Sequence, residues 1–396
     1  MPQEIDALQE GLPWGTLTGI RPSKVAEKLL ISGESENSVA EILKNKYFVQ
    51  PNRAAICIET AQAALKIKSS LVPKDIALYV GIPFCPTRCA YCSFVSNSAQ
   101  RSYAYIEPFL ETLMREIDTF SGLVNELGWR IISVYIGGGT PTSLPESAIE
   151  SIMSALNQSF DLSNLQEYTV EAGRPDTITE QKLDIITRLG AKRICINPQS
   201  MSQEVLTAIG RNHSPADVVN AVKLVLKTDA VLNMDVIAGL PSDTLSGFKK
   251  TLDTVLEFAP ENITVHTLSL KKGSRIMLEN TDIPDGIQVG EMLDYASKQL
   301  RDCKYAPYYI YRQKYISGGF ENTGWSQPGY EGIYNICMMD ELCTVLALGG
   351  GGVTKLVTTD GRIERIFNAK YPREYIMMTE KMNEKVGRIR SNAISI

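Results

Sequence analysis

Histidine is nearly missing from this chain, with His213 and His266 the only two among its 396 residues. Any metal site must therefore draw on other ligands. No apolar run approaches the roughly 20 residues needed to cross a bilayer, and Met1-Pro2-Gln3-Glu4-Ile5-Asp6 lacks the basic and apolar regions of a signal peptide. The expected compartment is the cytoplasm, with no membrane partner. A broad positive surface is also missing: the net charge is −5, which argues against nucleic-acid binding and disfavours a tRNA-modifying role. The 8 cysteines are too scattered for a disulfide framework, and a reducing compartment keeps such thiols free.

What is present is a strand and helix alternation from about residue 76 to 270. The apolar run at 76–80 and strand-like segments at 131–136, 168–172, 193–197, 232–238 and 263–270 read as strands. Between the first two, Ile106, Phe109, Leu110, Leu113, Met114, Ile117 and Phe120 recur at helical steps of three and four. Helices follow near 146 and over 180–189. Six such units fit an α/β partial (β/α)6 barrel better than an eight-fold one, and barrel chemistry sits at the carboxyl ends of the strands. Residues 1–75 form a helical extension (22–31, 38–46, 54–69), 76–270 the barrel, and 271–396 a mixed segment expected to cover a substrate. That last segment is rich in tyrosine around 305–315 and in glycine at Gly349 to Gly352.

The chemistry collects at those strand ends. Cys85, Cys89 and Cys92 lie in Gly81-Ile82-Pro83-Phe84-Cys85-Pro86-Thr87-Arg88-Cys89-Ala90-Tyr91-Cys92, directly after the first strand. Three thiolates on one loop can wrap a metal centre, and three ligands do not close a tetrahedral zinc site. An iron–sulfur cube with three cysteine ligands keeps one iron open for chemistry. The alternative is a zinc knuckle with a distant fourth ligand, but Cys57, Cys195, Cys303, Cys337 and Cys343 make no second close pair. Gly137-Gly138-Gly139-Thr140-Pro141 ends the second strand, where missing Cβ atoms let backbone approach a ligand. Glu171 ends the third, and a carboxylate aimed into a barrel mouth needs a partner; a salt-bridged barrel residue is the other account of it. Gln199, Arg211 and Asp235 recur at later strand ends, each individually explicable as structural.

The cysteine spacing, with an aromatic before the third cysteine, resembles the signature of the radical S-adenosylmethionine (SAM) family. From about Tyr79 to Gly352 the sequence resembles that family's coproporphyrinogen dehydrogenase branch. The segments Trp14-Gly15-Thr16-Leu17-Thr18-Gly19-Ile20-Arg21-Pro22, Glu171-Ala172-Gly173-Arg174-Pro175, Ile196-Asn197-Pro198-Gln199 and Tyr309-Ile310-Tyr311-Arg312-Gln313-Lys314 resemble its HemZ type most. The resemblance implies a [4Fe-4S] cluster on Cys85, Cys89 and Cys92, whose open iron chelates SAM. It implies SAM contacts at Tyr79, Tyr91, Gly138, Gly139, Thr140, Glu171, Gln199, Arg211 and Asp235.

The implied reaction is removal of a propionate β-hydrogen by a 5′-deoxyadenosyl radical, then loss of carbon dioxide and one electron to leave a vinyl group. Two such events convert coproporphyrinogen III to protoporphyrinogen IX without oxygen. A substrate with four propionates needs cations, for which Arg21, Arg174, Arg312 and Lys314 are the candidates; solvated surface charges are the alternative. The implied partners are the tetrapyrrole and a reducing donor such as flavodoxin or ferredoxin, to a monomeric protein. One departure stands out: HemN enzymes carry a further cysteine two residues past the third ligand, and Phe94 occupies that place here, as an aromatic does in HemW-type haem-binding proteins. A haem chaperone and a radical SAM methyltransferase acting on haem are therefore the competing functions.

Overall fold

The computed structural model describes residues 12–92, 97–98, 103–271, 274–279, 281–358 and 362–393. All six expected strands are present, at Asp75–Ile82 (β1), Arg130–Gly138 (β2), Glu167–Glu171 (β3), Arg193–Gln199 (β4), Val231–Ala238 (β5) and Asn262–Thr267 (β6). Five more follow: Ala306–Tyr311 (β7), Asn322–Ser326 (β8), Thr344–Gly349 (β9), Val353–Val357 (β10) and Ile363–Phe367 (β11). The chain divides into two compact units, each discontinuous in sequence. The first comprises Met1–Ser70, Gln199–Ile209 and Met234–Asp340, and the second Leu71–Pro198, Gly210–Asn233 and Glu341–Ile396. The segment after residue 270 is thus shared between them.

The second unit is built on strands in the order β11-β10-β9-β1-β2-β3-β4. β1 pairs in parallel with β2, Tyr79 facing Tyr135 and Ile82 facing Gly138. β2 pairs with β3, and β3 with β4, in the same sense. β1 is apolar on both sides because both its faces are covered: Ile76, Leu78 and Val80 are buried, and so are Ala77 and Ile82. Asp75 starts β1 by accepting from the Val72 N–H at 2.8 Å. The helix Ile106–Leu127 buries Phe109, Leu113, Ile117 and Phe120 at the expected spacing and ends where Gly128 turns left-handed (φ 62°). Pro215–Val225 opens with a capping box between Ser214 and Asp217. Among the described residues no strand pairing closes a ring, in agreement with a partial barrel. β9 is a parallel strand beyond the expected six, with Gly349 opposite Gly81.

In the first unit β8 runs antiparallel to both β6 and β7. The expected amino-terminal helices lie at Ser23–Ile31, Glu36–Tyr47 and Pro51–Ser70. Arg53 on the third is buried and pairs with Glu321 at 3.2 Å and with Asp294. The Trp14 indole donates to the same Glu321 at 2.7 Å. The amino-terminal helices and the segment before them are thereby tied to residues beyond 290, a link no local pattern encodes.

Candidate active site

In the second unit the end of β1 runs straight into the cysteine loop. The glycine run at the end of β2 is stitched to it: Gly139 N–H donates to Ile82 O and Thr140 N–H to Phe84 O, both at 2.7 Å. A Cβ at Gly139 would stand 2.4 Å from Phe84 O, so only glycine permits this approach. The Thr140 hydroxyl is 3.4 Å from Cys85 Sγ, and Cys92 N–H donates to Cys89 O at 3.2 Å, folding the second half of the loop into a turn. All three cysteines are half-buried and unbridged. Among the described residues no group of three or more His, Cys, Asp and Glu side chains is arranged to hold a metal ion. The fit to a cluster rests on the donor set: three cysteine sulfurs on one loop, none in a disulfide, with the Arg174 guanidinium 3.8 Å from the Cys89 sulfur. Phe94 lies outside the described residues.

Glu171, at the end of β3, accepts from the Tyr135 hydroxyl at 2.6 Å. Tyr79 stacks on Tyr135 with ring centroids 6.2 Å apart. Burial, with the Glu171 charge adding, pushes the Tyr79 hydroxyl well above its ordinary value, so it stays protonated. Arg211 is buried and donates to Gly173 O at 3.2 Å, to Asn197 O, and to the Tyr91 hydroxyl at 3.2 Å. The second unit thus gathers the cluster loop, the glycine run, Glu171, Arg174 and Arg211. Gln199 and Asp235 belong to the first unit. Gln199 is 6% exposed with a left-handed φ of 66°, and its Oε1 has no hydrogen-bond partner among the described residues. Asp235 lies 3.5 Å from His266 Nε2, whose Nδ1 meets Asn322 Oδ1 at 3.3 Å and the Tyr311 hydroxyl at 3.4 Å.

The four expected propionate cations meet different fates. Arg312 donates to Leu17 O and, at 2.9 Å, to Gly319 O, and lies over the Trp14 ring. Arg21 donates to Met339 O. Arg174 is 2% exposed and forks onto Asp176. Lys314 is exposed.

Three residues escaped the sequence reading. Tyr135 holds Glu171, and its position two residues before Gly137, on the same face of β2, was a usable signal. Asp176 and Thr87 flank Arg174, and only Asp176, in the same turn, is close enough in sequence to have been suspected. His213 is 1% exposed, with Nδ1 3.8 Å from Asp176. Burial, helped by Arg211 and Arg174, pushes its pKa down to about 4, leaving it neutral.

A strand-end trio of thiols, a neighbouring glycine turn and a fixed carboxylate on a parallel sheet define the class, and comparison with known proteins agrees. The Radical SAM superfamily profile matches residues 79–255. The chain belongs to the radical SAM superfamily, to its HemN/HemW-like branch and close to HemZ, with a [4Fe-4S] cluster and SAM as cofactors. The oxygen-independent coproporphyrinogen-III oxidase-like protein HemZ of Bacillus subtilis (strain 168) is 37% identical over 369 residues, 91% of this chain and 74% of that protein. The heme chaperone HemW of Escherichia coli (strain K12) is 25% identical over 302 residues, 76% of this chain and 75% of that one. Coproporphyrinogen III oxidase (HemN) from Escherichia coli shares the fold, with a TM-score of 0.63 at 20% identity over 81% of this chain and 72% of the other. Among the described residues no helix is long and apolar enough to cross a membrane.

Proposed function

We propose that this protein decarboxylates coproporphyrinogen III oxidatively without oxygen, turning two propionates into the vinyls of protoporphyrinogen IX. The observation that carries the reading is the 37% identity to HemZ over 91% of the chain, far beyond residues 79–255 of the superfamily match. Cys85, Cys89 and Cys92 would hold the cluster. When bound, cluster and SAM supply the carbon radical that takes hydrogen from a propionate. The protein's share is to bind, orient and exclude water.

Its residues suit that share. The N–H groups of Gly139 and Thr140 are engaged by Ile82 and Phe84 carbonyls, so the run offers carbonyl oxygens to the SAM ammonium. Tyr135 fixes Glu171 as an acceptor, with Tyr79, Tyr91 and Arg211 completing the SAM contacts in this unit. In the first unit Gln199 and Asp235 take SAM-binding roles. A strained backbone under the buried, unpartnered Gln199 carbonyl is the pattern of a ligand-binding residue. The substrate is a tetrapyrrole, and the reductant a flavodoxin or ferredoxin.

A haem chaperone is the second reading, favoured by relatives named heme chaperone HemW. Anoxic incubation with reductant, SAM and coproporphyrinogen III separates the readings. Vinyl product with 5′-deoxyadenosine supports decarboxylation. Stable haem binding without turnover refutes it in favour of the chaperone, and a methylated, ring-opened product in favour of a haem methyltransferase.

A further inference from the structure

Arg174 was expected to meet a substrate propionate, yet its guanidinium is 2% exposed and already engaged on every side. Nε donates to Asp176 Oδ1 at 3.2 Å and Nη2 to Asp176 Oδ2 at 3.4 Å, a two-pronged pairing with one carboxylate. Nη1 turns the other way, toward the cysteine loop. It donates to the Thr87 hydroxyl at 3.0 Å and the Thr87 carbonyl at 3.4 Å, and lies 3.8 Å from Cys89 Sγ. The Thr87 hydroxyl in turn donates to Gly210 O at 3.2 Å, next to Arg211. The loop between Cys85 and Cys89 is therefore held by a buried cation on one side and the turn before Arg211 on the other.

A buried guanidinium is costly unless its partners are matched. Here Asp176, 25% exposed, balances the charge from the solvent side, while the proton-bearing Nη1 faces sulfur. We propose that Arg174 is a positioning residue of the cluster: it donates to the Cys89 thiolate, fixes the cysteine loop through Thr87, and raises the cluster's reduction potential, leaving propionate recognition to other residues. This rests on the reading of Cys85, Cys89 and Cys92 as cluster ligands. The physical cause is that a hydrogen bond and a positive charge at a ligating sulfur favour the reduced, more negative cluster. Lysine at this position keeps the charge but loses the fork, whereas glutamine keeps a donor and loses the charge.

The test is a redox titration of anaerobically prepared protein without SAM, followed by electron paramagnetic resonance, with iron and sulfide measured per chain. Arg174→Gln is expected to keep wild-type iron content while its reduced-to-oxidised ratio at a fixed potential falls about tenfold, the equivalent of about 59 mV for one electron. Arg174→Lys is expected to recover part of that shift, and coproporphyrinogen binding by Arg174→Gln to stay within about twofold of wild type, about 0.4 kcal/mol. Should Arg174→Gln fail to hold iron, Thr87→Val carries the test, with a smaller fall in the same direction. An unchanged potential in an iron-replete variant overturns the proposal, and so does a tenfold loss of tetrapyrrole affinity at unchanged potential. Wild-type protein that takes up no iron overturns the family reading itself, and this inference with it.

Discussion

Replacing Lys385 by methionine tests how the second unit holds the end of β1. Lys385 and Glu116 are 3% and 1% exposed and stand 3.3 Å apart. Glu116 also accepts from Gly349 N–H at 2.7 Å, the Tyr375 hydroxyl at 2.6 Å and Asn368 Nδ2 at 2.9 Å. Lys385 donates further to Asn368 Oδ1 at 2.9 Å and to Ala347 O, and lies 4.6 Å from the Phe120 ring centroid. Gly349 matters because the next residue, Gly350, donates to Gly81 O at 2.9 Å, immediately before the cysteine loop. Removing the ammonium strands a carboxylate that is almost fully buried, a loss of about 3–5 kcal/mol against a total stability of about 5–15 kcal/mol.

Glu116→Gln should cost about 2–3 kcal/mol, since its amide oxygen still accepts from Gly349. The double variant should cost less than the sum by more than about 1 kcal/mol, because each change removes the other's partner. Urea unfolding followed by circular dichroism, with midpoints and slopes compared across the four proteins, measures this. Single losses under about 1 kcal/mol, or additivity within about 0.5 kcal/mol, would refute the reasoning.

Gly349→Ala places a Cβ 2.2 Å from Gly81 O at a φ of +79°; a loss of about 3 kcal/mol or more is expected, and a urea midpoint near wild type would exclude the close approach. His213, held near 4 against an ordinary 6.5, makes the unfolded chain the stronger proton binder between those values, so its contribution is complete above pH 6.5 and lost as pH falls toward 4. The stability gap between wild type and His213→Asn should accordingly narrow over that window, and a gap independent of pH would contradict the shift. Tyr135→Phe removes the 2.6 Å bond to Glu171; at about 1 kcal/mol, SAM affinity should fall roughly fivefold in equilibrium dialysis, and an unchanged affinity would remove Glu171 from the SAM contacts.

The amino-acid sequence by itself determined the local pieces. Short strand-like segments rich in apolar and β-branched residues specified β1 to β6, the three-and-four spacing from Ile106 to Phe120 specified a helix, and one loop carried the three cysteines Cys85, Cys89 and Cys92 with an adenosyl-family spacing. These features are legible because side chains two, three or four residues apart share a face whatever the rest of the chain does. Tertiary structure alone decided which distant groups meet. The parallel register sets Gly349 of β9 against Gly81, and folding brings Glu116 to Gly349 across 233 residues and Arg174 to Cys89 across 85. It also commits Arg312 to Leu17 O, 295 residues away, although as a lone arginine it read equally well as a substrate contact. Charge and residue type announce that a buried cation needs partners; only strand order and packing choose them.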